Sequence, residues 1–495
     1  MTVTGTSGGG DAGERGAGGG GGGGGGPWTA AWELLLPTAA APARRRGRVL
    51  QAALREAVRT GRLAAGTPLP SSRELAVDLG VSRGLVTDAY AQLTAEGYLL
   101  SRQGAGTWVA GAVARPVATV PDGAAVDERG GPADFRPGVP DLALFPRAAW
   151  AAAHRRVLGR LPDLALGYPD PRGLPELRGA LADLLARRRG VAAGPGRLVV
   201  CSGVSQALTL LALVLAGRGV RSVAVEDPGS PEQAALFAAV GLTAVPVPVD
   251  GDGLDPVALA TSGVRAAVVT PSHQFPTGTA CPPRRRAALL EWARRVDGLL
   301  VEDDYDGDFR YDRAPVGALQ GLAPDRVAYA GSVSKTLAPG LRLGWLVAPP
   351  DVAEEAAARK RTMDLGNPVT EQAVLAEFVR SGRYDRHLRR CQRRYRERRD
   401  VLVRALERHF SGAEVSGIAA GLHVVATLPE RHGPEPAFLA RAARAGVTLR
   451  PLSSYTAGTG AGQAEEDGRV RLVLGYAHLS AGDIETCVRV LRASV

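Results

Sequence analysis

The sequence contains almost no lysine: of its 60 lysine and arginine residues, only Lys335 and Lys360 are lysines. A lysine amine can lose its proton and attack a carbonyl carbon to form a Schiff base, whereas an arginine guanidinium stays charged and cannot. A lysine retained within GSVSKTLAPGLRLGW, in a chain that otherwise uses arginine, therefore favours covalent chemistry at Lys335. The alternative is a surface lysine that escaped a biased composition.

Cysteines and long apolar runs are also scarce. The four cysteines stand far apart in the sequence and form no metal-type pair. This spacing predicts reduced, mostly buried thiols in a cytosolic protein. No apolar run approaches the roughly 20 residues of a membrane span. The start of the sequence lacks the basic and apolar segments of a secretory signal. We therefore expect a cytoplasmic protein without a membrane-spanning segment.

The 495 residues divide by composition into four predicted segments. They are a tail over 1–42, a small domain over 43–110, a linker over 111–133 and a larger domain over 134–495. Residues 7–26 are mostly glycine and cannot bury enough surface to order themselves. The linker is rich in Ala, Gly, Pro and Val. Within the larger domain we expect a large subdomain at about 165–350 and a small one at about 351–495.

The small domain has the pattern of a winged helix-turn-helix. Residues 44–60 carry an apolar stripe at helical spacing. Ser72 is predicted to cap a second, short helix that stops at Gly80, and a third helix is predicted from near Ser82 to near Gly97. Two helices joined by a short turn form the helix-turn-helix, whose second helix enters the major groove of DNA. YLLSRQGAGTWVA predicts two strands around a glycine turn, which form the wing.

The charge of this domain supports DNA binding. Residues 44–110 contain ten arginines and five acids, a net charge of +5 by subtraction, out of +10 for the whole chain. Arginines concentrated in this way suit a phosphate backbone. The alternative is a helical module that binds another protein.

LPSSRELAVDLGVSRGLVTDAYAQLTAEGYLLSRQGAGTWV resembles the winged-helix domain of GntR-type bacterial regulators. The resemblance implies a double-stranded DNA operator as the partner. It implies contacts from Arg73 at the start of the second helix, from the opening of the recognition helix and from the wing tip. The implied residues of the recognition helix and the wing are Ser82, Arg83, Gly84, Thr87, Gln103 and Gly104. Gly84 and Thr87 depart from the side chains common in the family, which leaves the operator sequence open.

From Asp134 onward, strand-like runs alternate with helical stretches, which predicts a mostly parallel sheet covered by helices. The predicted strands are Leu198–Cys201, 222–226, 266–270, 299–302 and 327–330. After about residue 350, arginine-rich helices are followed by GLHVVATL and RVRLVLGYA as candidate strands. This change predicts a smaller α+β subdomain at the C-terminal end.

Three residues of the larger domain suit pyridoxal phosphate (PLP). This cofactor needs a Schiff-base lysine, an anion near its pyridine nitrogen, a donor to its phenolate oxygen and a phosphate-binding cup. Lys335 is the candidate for the lysine, Asp303 in LLVEDDYDGDFRY for the anion, and Tyr305 for the donor. The alternative for EDDYDGD is a solvated acidic loop with a weak cation site.

The predicted phosphate cup has three parts. VVCSGVSQALTLL indicates a strand, a glycine turn and a helix, so that backbone N–H groups of residues 203–205 (Gly203, Val204 and Ser205) face an anion at a helix N-terminus. Ser332 offers a hydroxyl three residues before the lysine. Arg342 offers a planar fork seven residues after it. The alternative for Arg342 is a structural ion pair.

FRPGVPDLALFPRAAW, TPSHQFPTG, VEDDYDGDFRYD and GSVSKTLAPGLRLGW together resemble the aminotransferase-like domain of the MocR subfamily of GntR regulators. The resemblance covers roughly residues 44–495. It implies a multidomain chain in which a winged helix precedes an α/β fold-type-I PLP-dependent aminotransferase-like domain. It also implies a homodimer, with Lys335 bonded to PLP, Asp303 at the pyridine nitrogen, Tyr305 at the phenolate oxygen and His273 near the ring. The alternative for His273 is a loop histidine with a structural hydrogen bond.

Three positions depart from the family pattern. Ser230 replaces an aromatic residue that stacks on the cofactor ring, and Val204 replaces a frequent polar residue. Ser454 in RPLSSYTAG replaces an arginine that grips a ligand carboxylate, although Arg450 and Arg471 are near in sequence. A transaminase needs such a clamp to position its substrate, so its loss argues against efficient transamination.

The sequence therefore predicts a DNA-binding transcriptional regulator that senses PLP or a PLP–amine adduct and controls vitamin B6 or amino-compound metabolism. One alternative is an active PLP-dependent aminotransferase with an accessory DNA-binding domain. Another is a DNA-binding scaffold that has lost its cofactor.

Overall fold

The computed structural model of the chain describes residue 38 and the ranges 40–111, 133–311, 316–417, 419–457 and 468–494. The fold separates into two compact units, Met1–Glu128 and Arg129–Val495. Nearly all of the predicted tail and linker lies outside the described residues. Within the described ranges, no helix combines the length and the apolar character needed to cross a bilayer.

The first unit is a winged helix-turn-helix. Its helices and strands are α1 (Arg46–Arg59), β1 (Pro68–Leu69), α2 (Ser72–Leu79), α3 (Arg83–Ala95), β2 (Leu99–Arg102) and β3 (Gly106–Val109). The strands form an antiparallel sheet in the order β1-β3-β2. Apolar residues of all three helices, among them Leu54, Leu75 and Val86, pack into one core with Leu99 of β2. The three predicted helices and the two strands of the wing are thus confirmed.

The predicted cap of α2 is wrong by one residue. Ser71 is the N-cap, and its hydroxyl accepts a hydrogen bond from the Glu74 backbone N–H. The Glu74 carboxylate accepts in turn from the Ser71 backbone N–H at 2.9 Å, which completes a capping box. Ser72 is instead the first residue of the helix. Two adjacent serines offer the same chemistry, and only the reciprocal bond to Glu74 identifies the capping residue.

We expect Ser71→Ala to destabilise α2 by about 1 kcal/mol, because the alanine leaves an N-terminal N–H without its acceptor. Amide hydrogen exchange of the full chain should show residues 72–79 exchanging about 5-fold faster, since exchange reports local opening. Ser72→Ala is the matched control and should leave exchange of the helix nearly unchanged. Equal acceleration by the two substitutions would contradict this assignment of the cap.

The second unit is built on an eight-stranded sheet in the order β5-β12-β11-β10-β9-β6-β7-β8. Its strands are β5 (Leu198–Cys201), β6 (Ser222–Asp227), β7 (Thr243–Asp250), β8 (Gly253–Leu254), β9 (Ala266–Val269), β10 (Leu299–Asp303), β11 (Val327–Ser332) and β12 (Gly344–Val347). Strands β6, β7, β9, β10 and β11 pair in parallel, whereas β12 is antiparallel to β11 and β5. The mostly parallel sheet is confirmed, and β12 and the β7–β8 pair are additions to the predicted strands.

Helices cover both faces of this sheet. They are α4 (Arg147–Leu158), α5 (Pro175–Arg189), α6 (Val204–Gly217), α7 (Pro231–Ala239), α8 (Pro256–Thr261), α9 (Pro283–Arg295), α10 (Pro350–Asp364) and α11 (Val369–Arg380). Successive residues of β5 point to opposite faces: Leu198 and Val200 join one core, and Val199 and Cys201 join another. All four cysteines are buried free thiols, as predicted.

The C-terminal part of the unit is α+β. It contains α12 (Arg383–His409), β13 (Glu414–Ser416), β14 (His423–Thr427), α13 (Glu435–Arg444), β15 (Val447–Thr448), β16 (Arg450–Pro451), β17 (Arg471–Gly475) and α14 (Ala481–Ser494). Four strands form a sheet in the order β13-β14-β17-β16, and β15 pairs with β4 (Ala133–Asp134). β14 and β17 are the two strands that the sequence predicts.

Candidate cofactor and DNA-binding sites

The predicted cofactor residues follow the ends of neighbouring strands at one edge of the large sheet. Ser332, the last residue of β11, pairs with Gly344, and Gly344 pairs with Cys201, the last residue of β5. Asp303 ends β10 and pairs with Ala330 of β11. Ligands of α/β sheets bind outside the carboxyl ends of the strands. The register therefore brings the glycine turn, the acidic loop and the lysine segment to the same edge.

The Lys335 amine points into this edge. Its Nζ donates a hydrogen bond to the Gly138 carbonyl oxygen at 2.6 Å. Burial lowers the pKa of Lys335, while the charges of Asp306 and Asp303 oppose this shift. A lowered pKa increases the fraction of neutral amine, which is the form that attacks a carbonyl carbon. Lys335 is partly buried and its amine is hydrogen-bonded within the fold, which argues against the surface-lysine alternative.

Asp303 carries a buried oxygen without a protein partner. Its Oδ2 accepts a hydrogen bond from Gln233 Nε2 at 3.0 Å, and its Oδ1 has no hydrogen-bond partner among the described residues. Burial raises the pKa of Asp303 to about 7, and the charge of Asp304 adds to the rise. An orphaned buried acceptor is costly unless a ligand satisfies it. A protonated pyridine nitrogen is such a ligand, so the Asp303 site fits PLP.

The raised pKa predicts how the stability of PLP-free protein depends on pH. The folded pKa of Asp303 is about 7 and its ordinary value is 3.8, so between these values the folded state binds more protons than the unfolded chain. Stability should therefore fall as pH rises from about 4 to about 7. Burial also raises the pKa of Glu226 and of Glu302 to about 7, and both contribute in the same direction.

We expect Asp303→Asn to raise the melting temperature of PLP-free protein at pH 8, by about 2 °C or more, because the amide removes a buried charge. The variant should also lose less stability than the wild type between about pH 5 and pH 8, since one of the three titrating carboxyls is gone. Thermal unfolding of both proteins across this range, after removal of PLP, measures the difference. Parallel pH profiles would contradict the buried charge at Asp303.

Tyr305 belongs to a buried network with His273. The Tyr305 hydroxyl lies 2.9 Å from His273 Nδ1, which also lies 2.9 Å from Asp306 Oδ2. Burial is the main cause that raises the pKa of Tyr305 well above its usual value. Tyr305 therefore stays protonated and can donate to a phenolate oxygen. The solvated-loop interpretation is wrong, because Asp303 and Asp306 are buried and Asp304 forms an ion pair with Arg189 at 2.7 Å.

The glycine turn and Arg342 lie next to each other. Gly203 has φ of +97° and immediately precedes α6. A Cβ on Gly203 would lie 3.3 Å from Arg342 Nη1, so the lack of a side chain lets the guanidinium approach the helix N-terminus. Among the described residues Arg342 forms no ion pair, which argues against the structural ion-pair alternative. A cation beside the N–H groups of a helix start suits a phosphate.

The other three predicted phosphate-binding residues lie at the end of β11 and at the start of α6. Ser332 is partly buried, and its Oγ accepts a hydrogen bond from the Ser334 N–H at 3.3 Å. Val204 is the first residue of α6, and Ser205 follows as an exposed residue of its first turn. The substitution of Val204 for a polar residue therefore removes one side-chain donor and leaves its backbone N–H in place.

Two serines that depart from the family pattern form hydrogen bonds with neighbouring residues. The Ser230 hydroxyl donates to Glu232 Oε2 at 2.7 Å, at the start of α7. Ser454 is exposed, and its hydroxyl donates to the Pro451 carbonyl oxygen at 2.7 Å. Neither serine supplies the stacking ring or the cation that it replaces.

Two further groups of residues were missed by sequence reasoning. Gln233 supports Asp303 from α7, and the sequence contains no signal that links these two positions. Lys360, the second lysine, is buried; its Nζ contacts Asp364 at 2.7 Å and donates to Gln206 Oε1 at 3.2 Å. Gln206 Oε1 accepts from the Ser202 N–H at 2.7 Å, so Lys360 helps to hold the glycine turn. The i, i+4 spacing of Lys360 and Asp364 was the available signal for the ion pair.

The DNA-binding candidates lie on one exposed part of the winged helix. Ser82 caps α3 by accepting from the Leu85 N–H, and Thr87 donates to the Arg83 carbonyl oxygen at 3.0 Å. Arg83 is exposed, and its Nε lies 3.5 Å from Ser72 Oγ at the start of α2. Arg73 also starts α2 and is exposed. The beginnings of the two helices therefore lie side by side, as in a helix-turn-helix.

The remaining DNA-binding candidates lie at open positions on the surface of the winged helix. A Cβ at Gly84 would have no neighbouring atom within 4 Å, so the recognition helix has open space at this position. Gln103 and Gly104 lie in the exposed turn between β2 and β3, and Gly104 has φ of +82°, which favours glycine. These residues form the tip of the predicted wing.

Comparisons with known proteins agree with the folds of both units. Residues 138–491 match the family of aminotransferases class I and II, and residues 47–109 match the gntR family of bacterial regulatory proteins. The pyridoxine biosynthesis transcriptional regulator PdxR of Corynebacterium glutamicum is 35% identical over 412 residues, which cover 82% of this chain and 88% of PdxR. The regulatory protein MocR of Rhizobium meliloti is 36% identical over 429 residues, which cover 82% of this chain and 86% of MocR.

A solved structure extends the comparison to the fold. An archaeal alanine:glyoxylate aminotransferase superposes with a TM-score of 0.64 and 28% identity, over 73% of this chain and 90% of that enzyme. Regulators match the sequence along both units, and an aminotransferase matches the fold of the second. The chain therefore belongs to the MocR subfamily of GntR-type transcriptional regulators, with a DNA-binding winged helix and an aminotransferase-like domain that binds PLP.

Proposed function

We propose that the aminotransferase-like domain senses PLP, or PLP combined with an amine, and that this event changes the affinity of the chain for its operator. The observation that carries the proposal is the pairing of two features at one sheet edge. One is the partly buried amine of Lys335 with its lowered pKa, and the other is the buried Oδ1 of Asp303, which has no hydrogen-bond partner among the described residues. PLP, when bound, supplies an aldehyde carbon for the amine and a ring that accepts electrons.

Each remaining residue of the site has a distinct proposed task. Tyr305 would donate a hydrogen bond to the ring oxygen of bound PLP, and His273, itself in contact with Asp306, would hold the Tyr305 hydroxyl in place. Gly203 and Arg342 bind the phosphate.

Sensing is favoured over catalysis by the missing carboxylate clamp. Ser454 is exposed where relatives often carry an arginine, and its hydroxyl is engaged by a backbone carbonyl. Without a cation at this position, an amino-acid substrate has one fewer contact to fix its geometry for proton transfer, and such positioning supplies much of an enzyme's rate. Sustained turnover of an amino acid with a keto acid would contradict this part of the proposal.

A homodimer in the cytoplasm is part of the proposal. The segment that follows α4 exposes large apolar side chains: Leu164 is 95% exposed and Tyr168 is 89% exposed. Exposed apolar groups close together in a chain favour contact with a partner. Two winged helices related by a two-fold axis would match an operator with two half-sites.

Relatives of this chain include PdxR, whose name refers to pyridoxine biosynthesis, and TauR of Rhodobacter capsulatus, which is named only as a transcriptional regulator. Because the carboxylate clamp is missing here, we place vitamin B6 control before control of amino-compound metabolism as the role of this chain.

The experiment measures operator affinity with and without PLP. An operator is first selected from random-sequence duplexes with the full chain, and fluorescence anisotropy then gives the Kd. We expect PLP to change the Kd by about 5-fold or more, the usual range of coupling between two sites. The operator Kd of the Lys335→Ala variant should not change when PLP is added. The 4′-deoxy analogue of PLP, which lacks the aldehyde, should have little effect. An unchanged wild-type Kd would contradict the proposal.

A further inference from the structure

Lys360 is the second of the two lysines, and it is fully enclosed within the fold. It lies on α10, and its Nζ contacts three oxygens: Asp364 Oδ2 at 2.7 Å, Asp364 Oδ1 at 3.0 Å and Gln206 Oε1 at 3.2 Å. An ammonium group has three N–H donors on one nitrogen, so these oxygens satisfy all of them. The guanidinium of an arginine carries five donors on a rigid planar fork and does not match this arrangement. The geometry therefore accounts for a lysine here in a chain rich in arginine.

Stability alone does not explain the buried charge of Lys360. Desolvation offsets much of the attraction within a buried ion pair, and hydrophobic residues of similar volume are often equally stable in its place. The two helices that Lys360 joins, α6 and α10, are also joined at their opposite ends, where Arg218 contacts Asp351 at 2.7 Å and Glu355 at 2.6 Å. A further role of Lys360 therefore has to lie in the residues that its hydrogen-bond network reaches.

This network ends on the glycine turn that precedes α6. Gln206 Nε2 donates to Asp364 Oδ2 at 2.7 Å, which fixes the orientation of the amide. Gln206 Oε1 therefore accepts, from Lys360 Nζ and from the Ser202 N–H, the latter at 2.7 Å. The Ser202 hydroxyl accepts in turn from Asn367 Nδ2 at 2.8 Å. Ser202 is thus held through its backbone and through its side chain, directly before the glycine of the turn.

The turn gains from this support because glycine is conformationally permissive. Gly203 has φ of +97°, and among the described residues no side chain caps the start of α6. The first N–H groups of α6 are therefore available to an anion, but Gly203 itself does little to fix their direction. Groups that already hold the bound geometry bind more tightly, since less ordering remains to be done on binding. An anchored Ser202 supplies this order from outside the turn.

We infer that Lys360 is a positioning residue that gives the site its preference for PLP over pyridoxal, which lacks the phosphate. It acts through Gln206 on the backbone N–H groups of the glycine turn. The inference rests on the proposed binding of phosphate by this turn and is independent of operator binding. Because these N–H groups face the phosphate and not the ring, loss of their order weakens the binding of PLP and spares that of pyridoxal.

The test measures the Kd of the cofactor-free full chain for PLP and for pyridoxal by absorbance titration. Lys360→Met removes the ammonium group and keeps most of the side-chain volume. We expect its Kd for PLP to rise about 10-fold or more, and its Kd for pyridoxal to stay within about 2-fold of the wild type. Lys360→Gln keeps a polar head in the same space and carries the test if the methionine variant does not fold. Equal weakening of both ligands would overturn the inference, because it would indicate a general structural role.

Gln206→Ala removes the link between Lys360 and the turn, and it leaves the Lys360–Asp364 ion pair in place. It should lose the same preference for PLP. The double variant Lys360→Met/Gln206→Ala should bind PLP within about 2-fold of the weaker single variant, because both residues act along one route. Losses that add in the double variant would overturn the role of Gln206 as the link.

The matched control is Arg218→Met, which removes an ion-pairing cation from the opposite ends of the same two helices. Its Kd for PLP and for pyridoxal should stay within about 2-fold of the wild type. An equal loss of preference in this control would assign the effect to helix packing and overturn the inference. A wild type that binds PLP no better than pyridoxal would contradict phosphate binding by the turn, and the inference with it. The response of operator affinity to PLP, measured separately, tests the sensing proposal.

Discussion

Lys335→Ala protein should fail to retain PLP and should lack the visible absorbance of the bound cofactor. In our proposal the amine is the nucleophile that joins PLP to the chain, and alanine would leave only the contacts to the ring and the phosphate. We expect the apparent Kd for PLP to rise by more than about 100-fold, which corresponds to about 2.7 kcal/mol. Absorbance titration of the cofactor-free protein measures the change.

Lys335→Arg separates chemistry from charge. Arginine keeps a cation at this position but cannot lose its proton to attack a carbonyl carbon. Lys335→Arg protein should therefore retain as little PLP as Lys335→Ala protein. Both variants should bind DNA in the absence of PLP, since the winged helix is a separate unit. A visible band of wild-type intensity in either variant would show that the attachment lies elsewhere.

Arg83→Ala should reduce operator affinity by about 1 to 3 kcal/mol, or roughly 5- to 150-fold, because an exposed arginine at the start of the recognition helix is lost. If Arg83 contacts a base, the loss should be specific to the selected operator. If it contacts a phosphate, the salt dependence should become shallower by about 1 on every duplex. Anisotropy with the operator and with a random duplex distinguishes the two outcomes.

Arg55→Ala is the control for Arg83. Arg55 belongs to the same unit. It forms an ion pair at 2.7 Å with Glu96, which lies at the C-terminal end of α3, away from the start of the helix. Its removal should leave the operator affinity within about 2-fold of the wild type. If Arg55→Ala and Arg83→Ala weaken binding equally, the effect comes from net charge, and α3 is not the recognition helix.

Local sequence features were sufficient to predict the elements of the winged helix and several strands of the large sheet. Gly80 and Ser82 mark the two ends of the turn between α2 and α3, and the spacing of the apolar residues predicted the helices. The antiparallel strand β12 was missed because Gly344–Val347 is four apolar residues with no flanking pattern to give its direction. Its place between β5 and β11 is set by tertiary pairing.

The shared position of the candidate site residues was predicted in part. The order and spacing of Asp303, Tyr305 and Lys335 indicated their shared edge, because the carboxyl ends of parallel strands meet there. The support of Asp303 by Gln233 and of Tyr305 by His273 joins residues 70 and 32 positions apart. Neither pair carries a local pattern. Burial of the acidic loop was likewise unpredictable, since it depends on Arg189 from a distant helix.

The covalent attachment of PLP can be located directly because the sequence has only two lysines. Full-length protein is incubated with PLP, reduced with borohydride to fix any Schiff base, and digested with an arginine-specific protease for peptide mass spectrometry. The account predicts one phosphopyridoxyl group, on the peptide that contains Lys335, with the buried Lys360 peptide unmodified. A bare Lys335, or a label on Lys360 or the N-terminal amine instead, would contradict it.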